Sequence, residues 1–321
     1  MREASFVQRN KEKWSEIETN LKNKSEVNPD DLAEDYLQLT NDLAYAQTFY
    51  PKSKTRDYLN ELAIYAHQSI YRDQKNSKNQ IARFFNYDVP KAVYEFRRPL
   101  LYSLLITLLA TLIGAVSAHY DTDFVRLILG NAYVDQTIQN IKAGNPAGIY
   151  GSGSEVGSFL FIVINNIRVA VTAFALGVFV GIGTGYILFS NGIMLGAFHY
   201  MFYKYGVLAL AMSAVWIHGT FEISVIIIAG GCGLAIGRSI LFPKSYRRID
   251  AFKIQIRKAA VILVSTVPFF IVAALLEGFV SRHYLLSPYF SLSIIIVCLF
   301  IILFYYVYYP FKLAKKHLWK N

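Results

Sequence analysis

Apolar and polar positions divide the chain in two. Through residues 1–98 the apolar residues are sparse and fall at helical spacing among Lys, Glu, Asp and Asn. Phe6, Val7, Trp14, Ile17 and Leu21 mark one stripe, on a helix expected over residues 3–25. Asn28-Pro29-Asp30-Asp31 has the form of a helix start, with Asn as cap, Pro at the first position and acids in the first turn. That helix carries Tyr36, Leu39, Leu43 and Ala46 and is expected to stop at Tyr50-Pro51. A third begins near Lys54, with Leu59, Leu62, Ala63, Ala66 and Ile70 on its apolar face. Residues 81–98 gather Phe84, Phe85, Tyr87, Tyr94 and Phe96, and Pro90 opens a helix leading into the first long apolar run.

From residue 99 the runs lengthen to what a bilayer requires, about 20 apolar residues per helix. Spans are expected over 99–119, 159–188, 193–214, 218–237, 259–279 and 289–309. Ser190-Asn191-Gly192 reads as a turn between the second and third. Residues 193–237 must cross an even number of times, as two full spans or as a re-entrant hairpin, and two spans are preferred. The segment 120–158 carries acids, turn signals at Gly144-Asn145-Pro146 and Gly151-Ser152-Gly153-Ser154, and an amphipathic helix over 125–141. The expected fold is all-α: a cytosolic helical domain over 1–98 and a polytopic transmembrane domain of about six helices over 99–321.

Composition agrees, with 54% hydrophobic residues among 321 and a mean hydropathy of +0.33. The formal net charge of +10 does not point to nucleic acid, because Lys and Arg gather beside the ends of the apolar runs. There they act as topology signals and place both termini in the cytosol, with 120–158 outside. Cys232 and Cys298 each sit singly in an apolar run, so neither a disulfide framework nor a zinc site is expected. The first residues lack the apolar stretch of a cleavable signal.

Candidate chemistry concentrates where the apolar pattern is broken. His218 and Glu222 are the only ionisable residues between Gly206 and Gly237, and their spacing puts them on one helix face. Asn165, Asn166 and Arg168 interrupt the second span, with Arg168 ~13 Å from its start. Glu277 lies near the outer end of the fifth. These residues fall at similar depth, so Arg168 is expected to pair with Glu222 or Glu277, and His218 and the asparagines to complete a polar cluster. Such a cluster serves as buried polar glue or as a proton or ligand pathway. His-Gly-Thr-Phe-Glu is not the His-Glu-x-x-His pattern of a metal site, and no catalytic set appears, so neither enzyme activity, metal nor cofactor is expected. Gly177, Gly181 and Gly185 recur every four residues, as do Ala229, Gly233 and Gly237, and Gly219 adjoins His218. Small residues at that period bring membrane helices close, within one chain or across a homodimer seam.

Several stretches carry a family resemblance: Met1-Arg2-Glu3-Ala4-Ser5-Phe6-Val7 with Trp14, Tyr50-Pro51, Asn165-Asn166-Ile167-Arg168-Val169-Ala170 and Asn191-Gly192-Ile193-Met194-Leu195-Gly196. His218-Gly219-Thr220-Phe221-Glu222, followed by Ile228-Ala229-Gly230, is the most specific, and Glu277-Gly278-Phe279 fits as well. Together they resemble the longer members of the stage II sporulation protein M family. The resemblance implies an integral protein of the bacterial inner membrane without established enzymatic activity. In spore formers the namesake is a scaffold for peptidoglycan-degrading partners during engulfment. The long form is similar to members in bacteria that do not sporulate, whose genes accompany those for a MoxR-type ATPase and von Willebrand factor A-type proteins. Membrane lipid, other envelope proteins and those two classes are therefore the implied partners. A scaffold expects a dry, fully paired polar cluster. A transporter or channel, the alternative, expects a cavity that reaches His218 and Glu222.

Overall fold

The computed structural model describes residues 2–22, 29–75, 80–146, 148, 155–281 and 288–316. Asn28, the glycine-serine turn at 151–154 and the outer loop residues Arg282 and His283 lie outside the described residues. No strand occurs among those described. The chain divides into two compact units, Met1–Ile81 and Ala82–Asn321. The division falls at residue 81 rather than 98, because the aromatic segment after it packs into the second unit's core through Phe84, Val89, Val93 and Phe96.

The first unit contains α1 (Glu3–Lys22), α2 (Pro29–Phe49) and α3 (Lys54–Lys75). Their apolar stripes meet in a core of Phe6, Trp14, Ile17, Leu21, Leu39, Ala46, Leu59, Leu62, Ala63 and Ala66. Polar ties fix the register. Trp14 donates its indole N–H to Asp42 over 2.9 Å, Lys13 pairs with the same carboxylate, and Thr55 bonds Glu3 at 2.8 Å.

The division between units falls within α4 (Gln80–Arg83), which continues into a π turn, Phe84–Asp88, and then α5 (Val89–Glu95). Pro90 explains the π turn: it lacks the N–H that would bond Asn86 and its ring crowds the preceding turn, so the helix widens. The Val89 N–H reaches back to Phe84, which frees the carbonyls of Phe85 and Asn86. Tyr305 donates to the first at 2.8 Å and Tyr309 to the second at 3.3 Å. These tyrosines belong to a second π turn with its adjoining helix, Phe304–Tyr308 and α15 (Tyr309–Lys315), again placed just before a proline, Pro310.

Between these turns runs the apolar bundle: α6 (Arg97–Tyr120), α7 (Thr122–Leu129), α8 (Asn131–Lys142), α9 (Glu155–Ala175), α10 (Ile182–Lys204), α11 (Leu208–Leu241), α12 (Arg248–Ser265), α13 (Val267–Leu275) and α14 (Pro288–Leu303). Among the described residues four stretches are long and apolar enough to cross a membrane: Arg97–Tyr120, Leu208–Leu241, Arg248–Val280 and Tyr289–Lys315, with Ile164–Val178 a shorter apolar helix. Alpha-6 shows the packing logic. It buries Ser103, Thr107, Ala110, Gly114 and Ala118 and exposes Leu101, Leu105, Leu108 and Leu112, so small residues face the bundle and leucines face outward.

Several expected boundaries shift. The run expected as one span over 159–188 breaks after α9 at a 3-10 turn, Leu176–Val178, and at Gly181, whose φ of 82° only glycine adopts without strain. Alpha-10 then covers what was expected as the end of that span, the Ser190-Asn191-Gly192 turn and the start of the next. Those turn-forming residues lie in mid-helix: Asn191 donates back to Ile187 at 2.8 Å, and Gly192 lets α6 approach. The break comes instead at Gly206, and α11 runs unbroken through Gly219. The single amphipathic helix expected over 125–141 is two, α7 and α8, parted at Gly130 with φ 85°.

Contacts fix the relative directions. Gly192 and Gly196 meet Thr107 and Thr111, so α6 and α10 run parallel. His199 accepts from Trp216 at 3.1 Å while Leu188 meets Gly230, so α10 and α11 are antiparallel. Alpha-11 touches α6, α9, α10, α12, α13 and α14 and is the bundle's central helix.

Candidate functional site

The polar interruption on α11 sits at a junction of helices. His218 and Glu277 are both buried, and the His218 Nε2 stands 3.9 Å from a Glu277 Oε1. The other ring nitrogen of His218 meets Ser281 Oγ at 2.9 Å. Glu277 lies in a π turn, Leu276–Val280, and Ser281 follows it, so this local widening carries both partners toward α11. One turn along, Glu222 lies within electrostatic reach of Asn166 of α9 and of Glu277. Glu277 Oε2 is buried and has no hydrogen-bond partner among the described residues.

The sequence thus placed His218, Glu222, Glu277 and Asn166 in one neighbourhood, and the structure brings them together. Arg168 does not join them. Its side chain is exposed and, among the described residues, forms no ion pair with either acid. The reason is helical phase. Asn166, Ala170 and Ala173 lie on the inward face of α9, and Arg168, two residues past Asn166, points about 200° away. The imidazole of His218, not a guanidinium, is the partner of Glu277.

Beside this node lies a cavity of about 540 Å³. Asn165 and Asn166 of α9, Asn191 of α10, Thr107 of α6 and His218, Gly219 and Glu222 of α11 line it. Ile128, Leu129 and Tyr133, from α7 and α8, close it on a further side. Asn191 and Thr107 were not expected here. Asn191 is polar in an otherwise apolar helix, a signal hidden by its turn-forming neighbours, and Thr107 reads as one more small residue of α6. A cavity reaching His218 and Glu222 is the geometry that the transport expectation names, and the unpartnered Glu277 oxygen departs from a fully paired node.

The glycines expected to pack helices divide into two groups. A Cβ on Gly177 would lie 2.4 Å from the Gly233 carbonyl, one on Gly233 2.4 Å from that of Ala173, and one on Gly237 2.3 Å from the Gly181 nitrogen. These three fasten α11 to the bend between α9 and α10. Gly181 forms that bend, Gly185 faces open space and Gly219 meets only ordinary contacts at 3.8 Å and beyond. The four-residue row therefore does not lie on one helix.

Chemically the site offers two carboxylates, an imidazole and amides at the depth of apolar helices. Among the described residues no group of three His, Cys, Asp or Glu could hold a metal ion. The arrangement can exchange protons or bind a hydrogen-bonding group.

Comparison with known proteins agrees with this architecture. No curated protein and no solved structure matches. Residues 4–72, within the first unit, match a domain of unknown function, DUF8413. Residues 103–282, more than half of the chain, running from within α6 through α13 and including every residue of the polar node, match stage II sporulation protein M. With its apolar helices, the chain is a membrane protein that belongs to the stage II sporulation protein M family.

Proposed function

We propose that the protein is a non-enzymatic assembly factor of the bacterial cytoplasmic membrane, whose helical N-terminal unit recruits other envelope proteins while the bundle anchors it. The observation that carries this reading is the first unit itself. It closes a core of its own and still leaves Leu37, Phe49 and Ile64 on its surface, exposed at 62%, 59% and 49%. Exposed apolar side chains on a unit whose described residues include no helix long and apolar enough to cross a membrane suit contact with another protein. Its partners, by family resemblance, are a MoxR-type ATPase or von Willebrand factor A-type proteins.

In this reading α6, α9, α10, α11, the α12–α13 pair and α14 each cross the bilayer once. The parallel pair α6 and α10, and the antiparallel pair α10 and α11, support such alternation. Both termini then lie in the cytosol, as does the segment with the basic residues Arg238, Lys244, Arg247 and Arg248. A pocket beside a polar node holds a ligand as readily as it passes one, so the cavity leaves the assembly reading in place.

The test is affinity recovery from solubilised membranes of the full chain and of a chain lacking residues 1–81. The full chain is expected to retain the ATPase or the von Willebrand factor A-type protein, and the shortened one to lose it. Equal recovery from both would remove the recruiting role from the first unit.

A further inference from the structure

The cavity beside the polar node has a chemical preference that the charge of its lining reveals. Asn191 gives one N–H of its amide to the Ile187 carbonyl at 2.8 Å. Thr107 has only one hydroxyl hydrogen and gives it to Ser103 at 2.9 Å. Both nitrogens of His218 face the Glu277 and Ser281 side. The lining includes no lysine or arginine, and Arg168 points away. For an occupant the amides of Asn165, Asn166 and Asn191 keep both N–H and oxygen groups, the Thr107 oxygen can accept, and Glu222 is the one carboxylate of the lining. Thr107 and Asn191 are neighbours, since the Thr107 carbonyl lies 2.7 Å from where a Gly192 Cβ would stand. The rest of the wall is apolar, with Met194 and Phe198 of α10 facing Ile223 and Ile227 of α11.

We propose that this cavity binds an amphiphile with a primary ammonium head and a hydrocarbon tail, the head seated on Glu222 and the tail along the α10–α11 wall. An ammonium carries the charge that offsets Glu222 and three donors for the Thr107 and amide oxygens. A phosphate or carboxylate head would meet the Glu222 carboxylate with no lysine or arginine in the lining to offset it, in surroundings where an uncompensated charge is costly. This site is independent of the recruiting role proposed above.

The test uses the full chain in phosphatidylcholine nanodiscs, titrated calorimetrically with octylammonium, octanol and octanoate, with empty nanodiscs subtracted. Octylammonium is expected to bind saturably and at least tenfold more tightly than the other two. Glu222→Gln should weaken octylammonium about tenfold and leave octanol unchanged. Should Glu222→Gln fail to fold, Thr107→Val, which removes one acceptor with little change of shape, is expected to weaken octylammonium alone. Equal binding of the three probes to the unaltered protein would show an apolar void and overturn the proposal. So would octylammonium binding that neither substitution changes.

Discussion

His218 and Glu277 are buried against one another at a depth where each alone is expensive. Removing one member of such a buried polar contact leaves the other unsatisfied, which costs about 1–3 kcal/mol, whereas replacing both by apolar groups of similar shape can be nearly neutral. His218→Leu and Glu277→Leu are each therefore expected to lower the thermal midpoint of the purified protein substantially. The double substitution should fall between the single variants and the unaltered chain, or match the latter. Additive losses in the double variant would show that the two side chains do not act as a pair. Arg168→Ala should move the midpoint by no more than a surface change does, about 0.5 kcal/mol, because the side chain is exposed and unpaired with either acid. The spacing of His218 and Glu222 was readable, as was the placing of Glu277 at similar depth. The partner of Glu277 was not: it depends on which way α9 faces, and a helix with polar residues at 165, 166 and 168 has no single polar side.

The helices are held by close approach and by tyrosines that occupy carbonyls left open before prolines. Gly196 is the tightest contact, where a Cβ would stand 2.0 Å from the Thr111 carbonyl, whereas Gly185 on the same helix faces open space. Gly196→Ala should push α10 off α6 and cost about 1–3 kcal/mol, while Gly185→Ala should be neutral or slightly stabilising, read as thermal midpoints. Tyr305→Phe should cost about 1–3 kcal/mol by leaving the Phe85 carbonyl without its 2.8 Å bond. Hydropathy gave the helices but misplaced two breaks. Ser190-Asn191-Gly192 and Gly181-Ile182-Gly183 carry similar turn chemistry, yet only the latter turns. In a membrane bundle small and polar residues also serve helix contact, so a turn composition in mid-run has two physical meanings.

The whole molecule joins a unit with a water-protein pattern, apolar inside, to one with the opposite pattern, small residues inside and leucines out. That contrast was legible along the chain, and it fixes the class of each unit. The division itself was not legible, because Phe84, Val89, Val93 and Phe96 have the same composition whether they close the first unit or the second. The most direct test of recruitment places a photoreactive residue at Leu37 or Ile64, both exposed, and at Leu59, which is fully buried, in the protein at its natural level in cells. Irradiation is expected to link positions 37 and 64, but not 59, to one and the same ATPase or von Willebrand factor A-type protein. Adducts to lipid alone, or none from either exposed position, would contradict the assembly role.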